Sequence, residues 1–411
     1  MTKVAVIGAG PAGLMAAGVA AETGALVVLL EKNEQLGKKL LITSKGRCNI
    51  TRAEEDPQIF INDFGKNGKF LYPALNALSI EDTIQFFNSK GLKTKVERGK
   101  RVFPVSDNSH DVWQVLLDFL KKNKVQIVCN SPVKSLAKKN SLIEKIITTK
   151  DEIVADKYII ATGGLSYPET GSSGDGFKWA KDLGHTIVEP KPTLVPIKCK
   201  ETWIKAVEGL SLRNVRITAY QNGRKQDERF GEALFTGDGM SGPIILDLSK
   251  KIGQLLSKGE VELRIDLKQA LEFPQLDERI QRDFKKRSNG MFKNSLDDLL
   301  PQSLIPVFIR LSGIPPQKIV NSITKEERKI LLHLFKELTV HAVAIAGFEK
   351  AVITSGGVSL KEIDPKTMRS KLIDNLYFAG EILDLDGPTG GYNLQVAWST
   401  GHLAGENAAK E

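Results

Sequence analysis

The sequence predicts an α/β protein: a parallel-sheet domain interrupted by a β-rich domain and a small helical one. Three observations carry this. The first thirty-one residues spell strand, glycine turn, helix, strand. A β-type stretch opens after the two prolines of KPTLVPIK (191–198). Residues 267–337 are helical segments broken by Pro274, Pro301, Pro306, Pro315 and Pro316, after which strands resume.

The opening unit is the most specific. Val4 to Ile7 is an apolar β-branched run, followed by Gly8, Gly10 and Gly13 in G-x-G-x-x-G spacing. Leu14 to Ala21 is a small-residue helix, Leu26 to Leu30 a second apolar run, and Glu31 closes it. Together these make a complete dinucleotide-binding βαβ unit. Gly8 permits the tight turn out of the strand, Gly10 lets a pyrophosphate approach the backbone, and Gly13 lets the helix pack close to the sheet. The helix N-terminus, entered through Pro11 and Ala12, offers free N–H groups and partial positive charge to phosphates. The Glu31 carboxylate accepts hydrogen bonds from a ribose diol and repels a 2′-phosphate. A ligand-free glycine turn would leave Glu31 unexplained.

Residues 33–52 form a basic, polar connection, too rich in Gly, Ser and Thr for a clean helix. Residues 79–90 and 109–122 are helical, with Ile80, Ile84 and Phe87 on one face of the first and Val112, Val115, Leu116 and Phe119 on one face of the second. RGKRVFPVSDNS between them is a strand and a turn. Val125–Cys129, Leu142–Thr148 and Tyr158–Ala161 are strands, the last running into Thr162, Gly163 and Gly164. In the β-rich stretch Val215–Tyr220, Ala233–Thr236 and Val261–Ile265 are strands, and residues 340–358 return to strands. Leu376–Ala379 is a last short strand, and a helix runs from about Leu394 to Ala409. The domains are therefore expected at 1–190 with 355–411, 191–266 with 338–354, and 267–337.

The 411 residues suffice for two or three domains with sizeable cores. An apolar fraction of 41% and a charged fraction of 26% are those of a soluble globular protein. The glycines, Pro11 and Glu22 of the opening region argue against a signal peptide or a membrane span, so a cytoplasmic protein is expected. Cys48, Cys129 and Cys199 form no close pair, and the five histidines show no ligand spacing, so no metal is expected. The formal charge is +9. Residues 191–340 hold 26 Lys/Arg against 19 Asp/Glu, most of that excess. Either an anionic partner or a solvated surface accounts for it.

Two further segments bear on the same ligand. IIATGG (159–164) is an apolar strand ending in Thr and two glycines. NLYFAGEILDLDGPTGGYNLQVAWSTG (375–401) is a strand ending at Gly380–Glu381, then a loop to Gly390, Gly391, Tyr392 and Asn393, then a helix. A ligand across the strand ends needs contacts at both extremities. Glu381 is placed for ribityl hydroxyls, and the closing helix N-terminus favours negative charge at N1–O2 of a reduced flavin. That selects a flavin over a nicotinamide.

The opening GAGPAG with Glu31, GKKLLITSKGRCNIT (37–51), RVFPVS (101–106), ATGGLSYPETGSSGDG (161–176) and AGEILDLDGPTGGYNLQVAWSTG (379–401) resemble the aminoacetone oxidase/BaiN-like flavoproteins, also described as YhiN-type. These are bacterial three-domain enzymes, and the resemblance covers almost the whole chain. It implies a Rossmann-like FAD domain of the glutathione-reductase type with an inserted barrel-like domain and a small helical domain. It implies FAD, with Ala12 and Gly13 at the pyrophosphate and Glu31, followed by Lys32, at the adenosine ribose. Gly37, Lys38, Lys39, Cys48 and Asn49 fall in the loop at the cofactor. Val133 meets the adenine through its backbone. Ala161, Thr162 and Gly163 line the second strand end, and Gly380, Glu381, Gly391, Tyr392, Asn393 and Leu394 the ribityl and ring end. Where such proteins often carry glycine, this loop has Lys45, a cation expected beside the flavin.

The reaction centre is less legible. Cys48 is the best candidate proton donor, with Arg47 and Lys45 beside it to lower its pKa; a small residue packed on the cofactor is the competing reading. Tyr392 either donates at the ring or packs there. Arg101 either binds an anion or makes a surface salt bridge. His341 reads as a satisfied structural histidine, and Trp179 and Trp203 as core. With no second G-x-G-x-x-G after a strand, NAD(P)H is expected only as a transient reductant. The expected function is an FAD-dependent oxidoreductase moving hydride through flavin N5 to an unsaturated or carbonyl substrate. Dihydrouridine synthesis on ribosomal RNA, amine oxidation with O2, and a non-enzymatic flavoprotein are the alternatives. DFKKRSNGMFK (283–293) suits phosphate contacts in the RNA reading, or is a solvated helix end. The expected partner is a small molecule or ribosomal RNA, with no membrane and no obligate protein partner.

Overall fold

The computed structural model describes residues 1–410. The chain divides into two compact units, Met1–Pro192 with Phe348–Glu411, and Thr193–Gly347.

The first unit is built on a five-stranded parallel sheet. Its strands and flanking helices are β1 (Lys3–Ile7), α1 (Pro11–Glu22), β2 (Leu26–Leu30), α2 (Lys38–Ile42), α3 (Ser109–Lys122), β3 (Gln126–Val128), β4 (Lys157–Ile160), β5 (Leu376–Phe378) and α4 (Tyr392–Lys410). The sheet order is β5-β4-β1-β2-β3. β1 and β2 are apolar on both faces because helices cover both sides of a parallel sheet. α1 is buried almost all round, from Ala12 to Ala20, which its small residues allow. A side chain at Gly18 would strike Phe119 of α3, and one at Gly401 or Gly405 of α4 would strike the α1 backbone at Ala12 or Ala16. Glycine thus sets how close α1 lies to both neighbours. α3 starts on the Asn108 side chain, which accepts from His110 N, and buries Val112, Val115, Leu116 and Phe119, the face its periodicity predicts.

A two-stranded sheet pairs Ile187–Thr193 with Ile353–Val358, and two three-stranded antiparallel sheets accompany it. One joins Thr51–Arg52, Arg101–Pro104 and Thr94–Glu97; the other joins Val133–Lys139, Leu142–Thr148 and Glu152–Ile153.

The second unit holds a closed six-stranded barrel of Ile197–Cys199, Gly239–Ser241, Arg224–Thr236, Ser211–Gln221, Val261–Asp266 and Leu338–Ile345. Val261, Leu263 and Ile265 point inward while Glu262, Arg264 and Asp266 alternate outward. Residues 267–337 contribute helices Phe273–Lys286, Ile305–Ser312 and Lys325–Lys336. Their apolar faces, Leu276, Ile280, Phe308 and Phe335 among them, belong to the same hydrophobic core as the barrel. Pro274 and Pro306 sit in the first turns of their helices, where the missing N–H has no helical partner to lose. Strand Arg224–Thr236 is much longer than its apolar end, Ala233–Thr236. It pairs back on Ser211–Gln221 across Asn222 and Gly223, both in the left-handed conformation of a tight hairpin turn.

Candidate functional site

The site is assembled at the carboxyl ends of β1, β2, β4 and β5. Gly8 leaves β1 with φ +98, and a Cβ there would meet Ala161 O at 2.7 Å. A Cβ on Gly13 would lie 1.8 Å from Gly8 O, so helix and turn touch backbone to backbone. Gly10 differs: nothing lies within 4 Å of where its Cβ would be. Its backbone is ordinary, φ −79, and it caps α1 without any side-chain hydrogen bond, with Pro11 opening the helix. The first turn of α1 holds no acidic residue. An open approach to uncapped N–H groups is what an anionic pyrophosphate requires.

Glu31, 8% exposed, turns back to this loop. Its Oε2 accepts from Ala9 N at 2.9 Å, and its Oε1 accepts from Asn33 N and Asn33 Nδ2 at 2.9 and 2.8 Å. The carboxylate is thereby fixed, with acceptor capacity left for a diol. Lys32 is committed elsewhere, 3.0 Å from Asp175 Oδ2. Val133 begins the hairpin strand opposite Thr148, and Ser131 N in the preceding turn donates to Glu31 O at 2.9 Å.

The segment 37–52 runs from the opening glycine turn to the closing one. Gly37, with φ +67, donates its N–H to Ala9 O at 2.9 Å. At the other end Trp398 Nε1 donates to Ile50 O at 3.0 Å, Thr51 Oγ1 donates to Gln395 Oε1 at 2.6 Å, and a Cβ on Gly391 would lie 2.4 Å from the Thr51 carbonyl. Between these ends Lys39 Nζ reaches Glu381 Oε2 at 2.7 Å and Ser166 Oγ at 2.5 Å. Glu381 Oε1 accepts from Ser166 Oγ at 2.7 Å and from Thr354 N at 2.8 Å. Lys38 is half-buried and has no hydrogen-bond or ion-pair partner among the described residues.

Glu381 is therefore not an idle carboxylate awaiting hydroxyls; it ties four chain segments together. Ser166 and Thr354, both fully buried, are the site residues that sequence reasoning missed. Ser166 lies in the quoted ATGGLSYPETG block, so a signal was present; nothing local marks Thr354. The second strand end is close-packed against protein atoms. Ala161 N donates to Ile7 O, Gly163 takes φ +71, and a Cβ on Gly380 would strike Ala12 Cβ at 2.6 Å.

At Cys48 and Tyr392 the side chains support the packing alternative. Cys48 is wholly buried, and burial pushes its thiol up to about 12, the reverse of the expected lowering. The neighbouring guanidinium does not serve it: Arg47 forks to Glu97 and Asp107, with Nη2 at 2.5 Å from each, and lies 4.0 Å over the Phe103 ring. Tyr392 donates its hydroxyl to Asp63 and stacks on Phe60 with centroids 4.8 Å apart, so it packs rather than donates at a ring. Burial and the Asp63 carboxylate raise its pKa further. Asn393 spends its amide on Gly387, accepting from Gly387 N at 2.9 Å and donating to Gly387 O at 3.0 Å, and Leu394 packs on the core. Arg101 makes a long surface pair, 3.9 Å from Glu97, and donates its Nε to Arg98 O at 3.1 Å. His341 is a satisfied histidine, its Nδ1 2.7 Å from Glu201 Oε1. Trp179 and Trp203 are core residues, and the three cysteines are free.

Two buried polar atoms have no partner here, Asn49 Oδ1 and Thr162 Oγ1. They lie in the loop and the strand end that flank the Lys39–Glu381 pair. The Thr162 hydroxyl lies against Gly176, 2.1 Å from where a Cβ there would sit, so the fit to a polar ligand such as a flavin dinucleotide rests on the open, uncapped helix start at Gly10. No described group of His, Cys, Asp and Glu is arranged for a metal, and no described helix is long and apolar enough to cross a membrane.

A family model for the HI0933-like protein Rossmann domain matches residues 2–407. The chain belongs to this family. With it comes membership of the flavin-dependent oxidoreductases, as the motifs suggested. Over its full length it is 32% identical to 3-dehydro-bile acid delta(4,6)-reductase of Clostridium scindens, with each chain covered to 100%. It is 29% identical to ribosomal RNA dihydrouridine synthase of Haemophilus influenzae, covering 99% of this chain and 98% of the relative. The solved 3-ketosteroid-delta4-(5alpha)-dehydrogenase of Rhodococcus jostii shares the fold at 16% identity and a TM-score of 0.54, over 100% of this chain and 97% of that one.

Proposed function

We propose that the protein is an FAD-dependent reductase that saturates a carbon–carbon double bond conjugated to a carbonyl, with NAD(P)H as reductant. The full-length likeness to the bile-acid reductase carries this reading. The second curated relative favours the same bond class, since making dihydrouridine also saturates a double bond next to a carbonyl. In each case one hydride and one proton are added across the bond.

Bound FAD supplies the hydride at N5. Ala12 and Gly13 at the start of α1 would hold the pyrophosphate, and Glu31 the adenosine ribose. The Lys39–Glu381 pair fixes the walls between them at 2.7 Å. Cys48 Sγ keeps its proton through the neutral range, and its burial favours the packing role over proton transfer. The absence of acidic groups in the first turn of α4 leaves that helix end electropositive, which favours a reduced, anionic ring.

Anaerobic titration with NADH and NADPH tests the reading. Bleaching of the bound flavin by either, followed by faster reoxidation with a conjugated enone than with air, is expected. A flavin that neither nucleotide reduces, or that only air reoxidises, overturns it.

A second reading places the substrate in ribosomal RNA, favoured by the net basic stretch 191–340 and by the Haemophilus relative. The duplex would then present its uracil turned out of the stack. Deleting the gene and measuring dihydrouridine in ribosomal RNA decides it, because unchanged dihydrouridine removes the RNA substrate.

A further inference from the structure

Helix Phe273–Lys286 turns Leu276, Ile280 and Phe284 into the core of its unit. Helical spacing puts Gln275, Glu278, Arg279 and Arg282 together on the flank beside that face. With Leu271 of the preceding loop, these four line a cleft of about 390 Å³. That volume lies in the range that holds small organic ligands. The loop wall is pinned: Lys336 Nζ lies 2.7 Å from Asp266 Oδ2 and donates to Leu271 O at 2.8 Å.

The lining is rich in unspent donors. Gln275 Oε1 accepts from Glu272 N at 2.8 Å, which leaves the amide hydrogens over. Arg279 Nε donates to Asp283 Oδ2 at 2.6 Å, which leaves both Nη groups over. Arg282 and Glu278 have no hydrogen-bond or ion-pair partner among the described residues, so the one carboxylate of the lining neutralises neither arginine. Lys268, half-buried in the same loop as Leu271, likewise gives its amine no partner there. Burial and then the charge of Arg279 push that amine below the ordinary lysine range, against the pull of the Asp283 carboxylate. An oxyanion among these cations offsets their repulsion, and arginine forks match the oxygens of a phosphate.

We propose that this cleft is a phosphate-binding site, with Arg279, Arg282, Gln275 and Lys268 as its donors. The phosphate is either a phosphodiester of an RNA backbone or the group of a free phosphorylated small molecule. The site lies wholly within the unit Thr193–Gly347, and it stands whether or not the cofactor reading holds.

The test titrates the full chain with inorganic phosphate at fixed ionic strength, read by phosphorus NMR line width. Saturable binding is expected, and Arg282→Gln should weaken it by about tenfold. Gln275→Glu keeps the capping oxygen but replaces the amide donor with a negative charge, so its loss should be at least as large. Lys268→Met should also weaken phosphate binding, while its melting temperature without phosphate stays level or rises; a lysine that only supports the fold would lower it. Arg279→Gln frees the buried Asp283 carboxylate, so Arg282→Gln and Gln275→Glu carry the test if that variant does not fold. Displacement of phosphate by a short oligouridylate assigns the group to an RNA backbone, and no displacement assigns it to a small molecule. Absence of saturable binding overturns the proposal. So does phosphate affinity within about twofold of wild type in folded Arg282→Gln and Gln275→Glu, the result expected if phosphate sits at the start of α1 instead.

Discussion

Lys39 Nζ lies 2.7 Å from Glu381 Oε2, and each side chain is 20% exposed. The pair joins the segment after the opening glycine turn to the strand end before the closing loop. Neither residue is free for a ligand without disturbing the other.

Removing one partner should therefore be costlier than its exposure suggests. Glu381→Gln leaves a mostly buried ammonium without its counter-charge, and a loss of about 1–3 kcal/mol is expected in urea unfolding. Lys39→Met leaves Glu381 with Ser166 Oγ and Thr354 N as donors, so about 1 kcal/mol is expected. A double-mutant cycle should give a coupling of roughly 1 kcal/mol, and additivity within about 0.3 kcal/mol would contradict the pairing.

The glycines of the opening turn should separate folding from binding. Gly10→Ala meets open space in an ordinary conformation, so its melting curve should match the wild type. Its new methyl group stands where the backbone is open, and FAD affinity should drop by about tenfold or more. Gly13→Ala places a carbon 1.8 Å from Gly8 O and should cost roughly 2–3 kcal/mol of stability before any ligand is added. Normal FAD binding by a folded Gly10→Ala protein would refute the assignment of the pyrophosphate to this turn.

Alkali should loosen the fold through two thiols. Burial raises Cys48 and Cys199 from 9.0 to about 12. The unfolded chain releases these protons near pH 9, while the native chain holds them. Their contribution is thus complete below pH 9 and lost as the pH climbs through about 12. Melting temperature plotted from pH 8 to 11 should fall, and the fall should flatten in Cys48→Ala and Cys199→Ala proteins relative to their own neutral values. Native Cys48 should also resist iodoacetamide at pH 8.

Lys45 has φ 58° and ψ 42°, a conformation that glycine adopts without strain. Lys45→Gly should leave stability unchanged or raise it by up to about 1 kcal/mol, read from thermal melts. A clear loss would mean that the lysine stem makes contacts that outweigh its backbone.

The parts of the site that depend on backbone sterics were legible in the letters. Gly8, Gly13, Gly37 and Gly391 each occupy a place where a side chain would collide, and each stands in a quoted motif. The parts that depend on partners distant in sequence were not. Thr354 meets Glu381 and Ser166 only because Ile353–Val358 lies beside the β5 end, and no pattern within its own strand says so. Cys48 misled because adjacency in sequence suggested a cationic neighbourhood. The left-handed turn sends its thiol inward while Arg47 points to Glu97 and Asp107. In the second unit Asn222–Gly223 marks a hairpin plainly, but the polar run that follows hides the strand Arg224–Thr236. Its exposed barrel side gives it no apolar signature over most of its length.

The interlocking of α1 with α4 through Gly401 and Gly405 also governs when the site can exist. Residues 23–391 are translated between α1 and α4, the helix that packs on it. On the ribosome the nascent opening unit therefore waits, with its small-residue helix uncovered on one side, until residues 376–410 emerge. Cofactor capture is in this sense a late event of biosynthesis, and the apolar flank of α1 is what chaperones would have to shield in the interval.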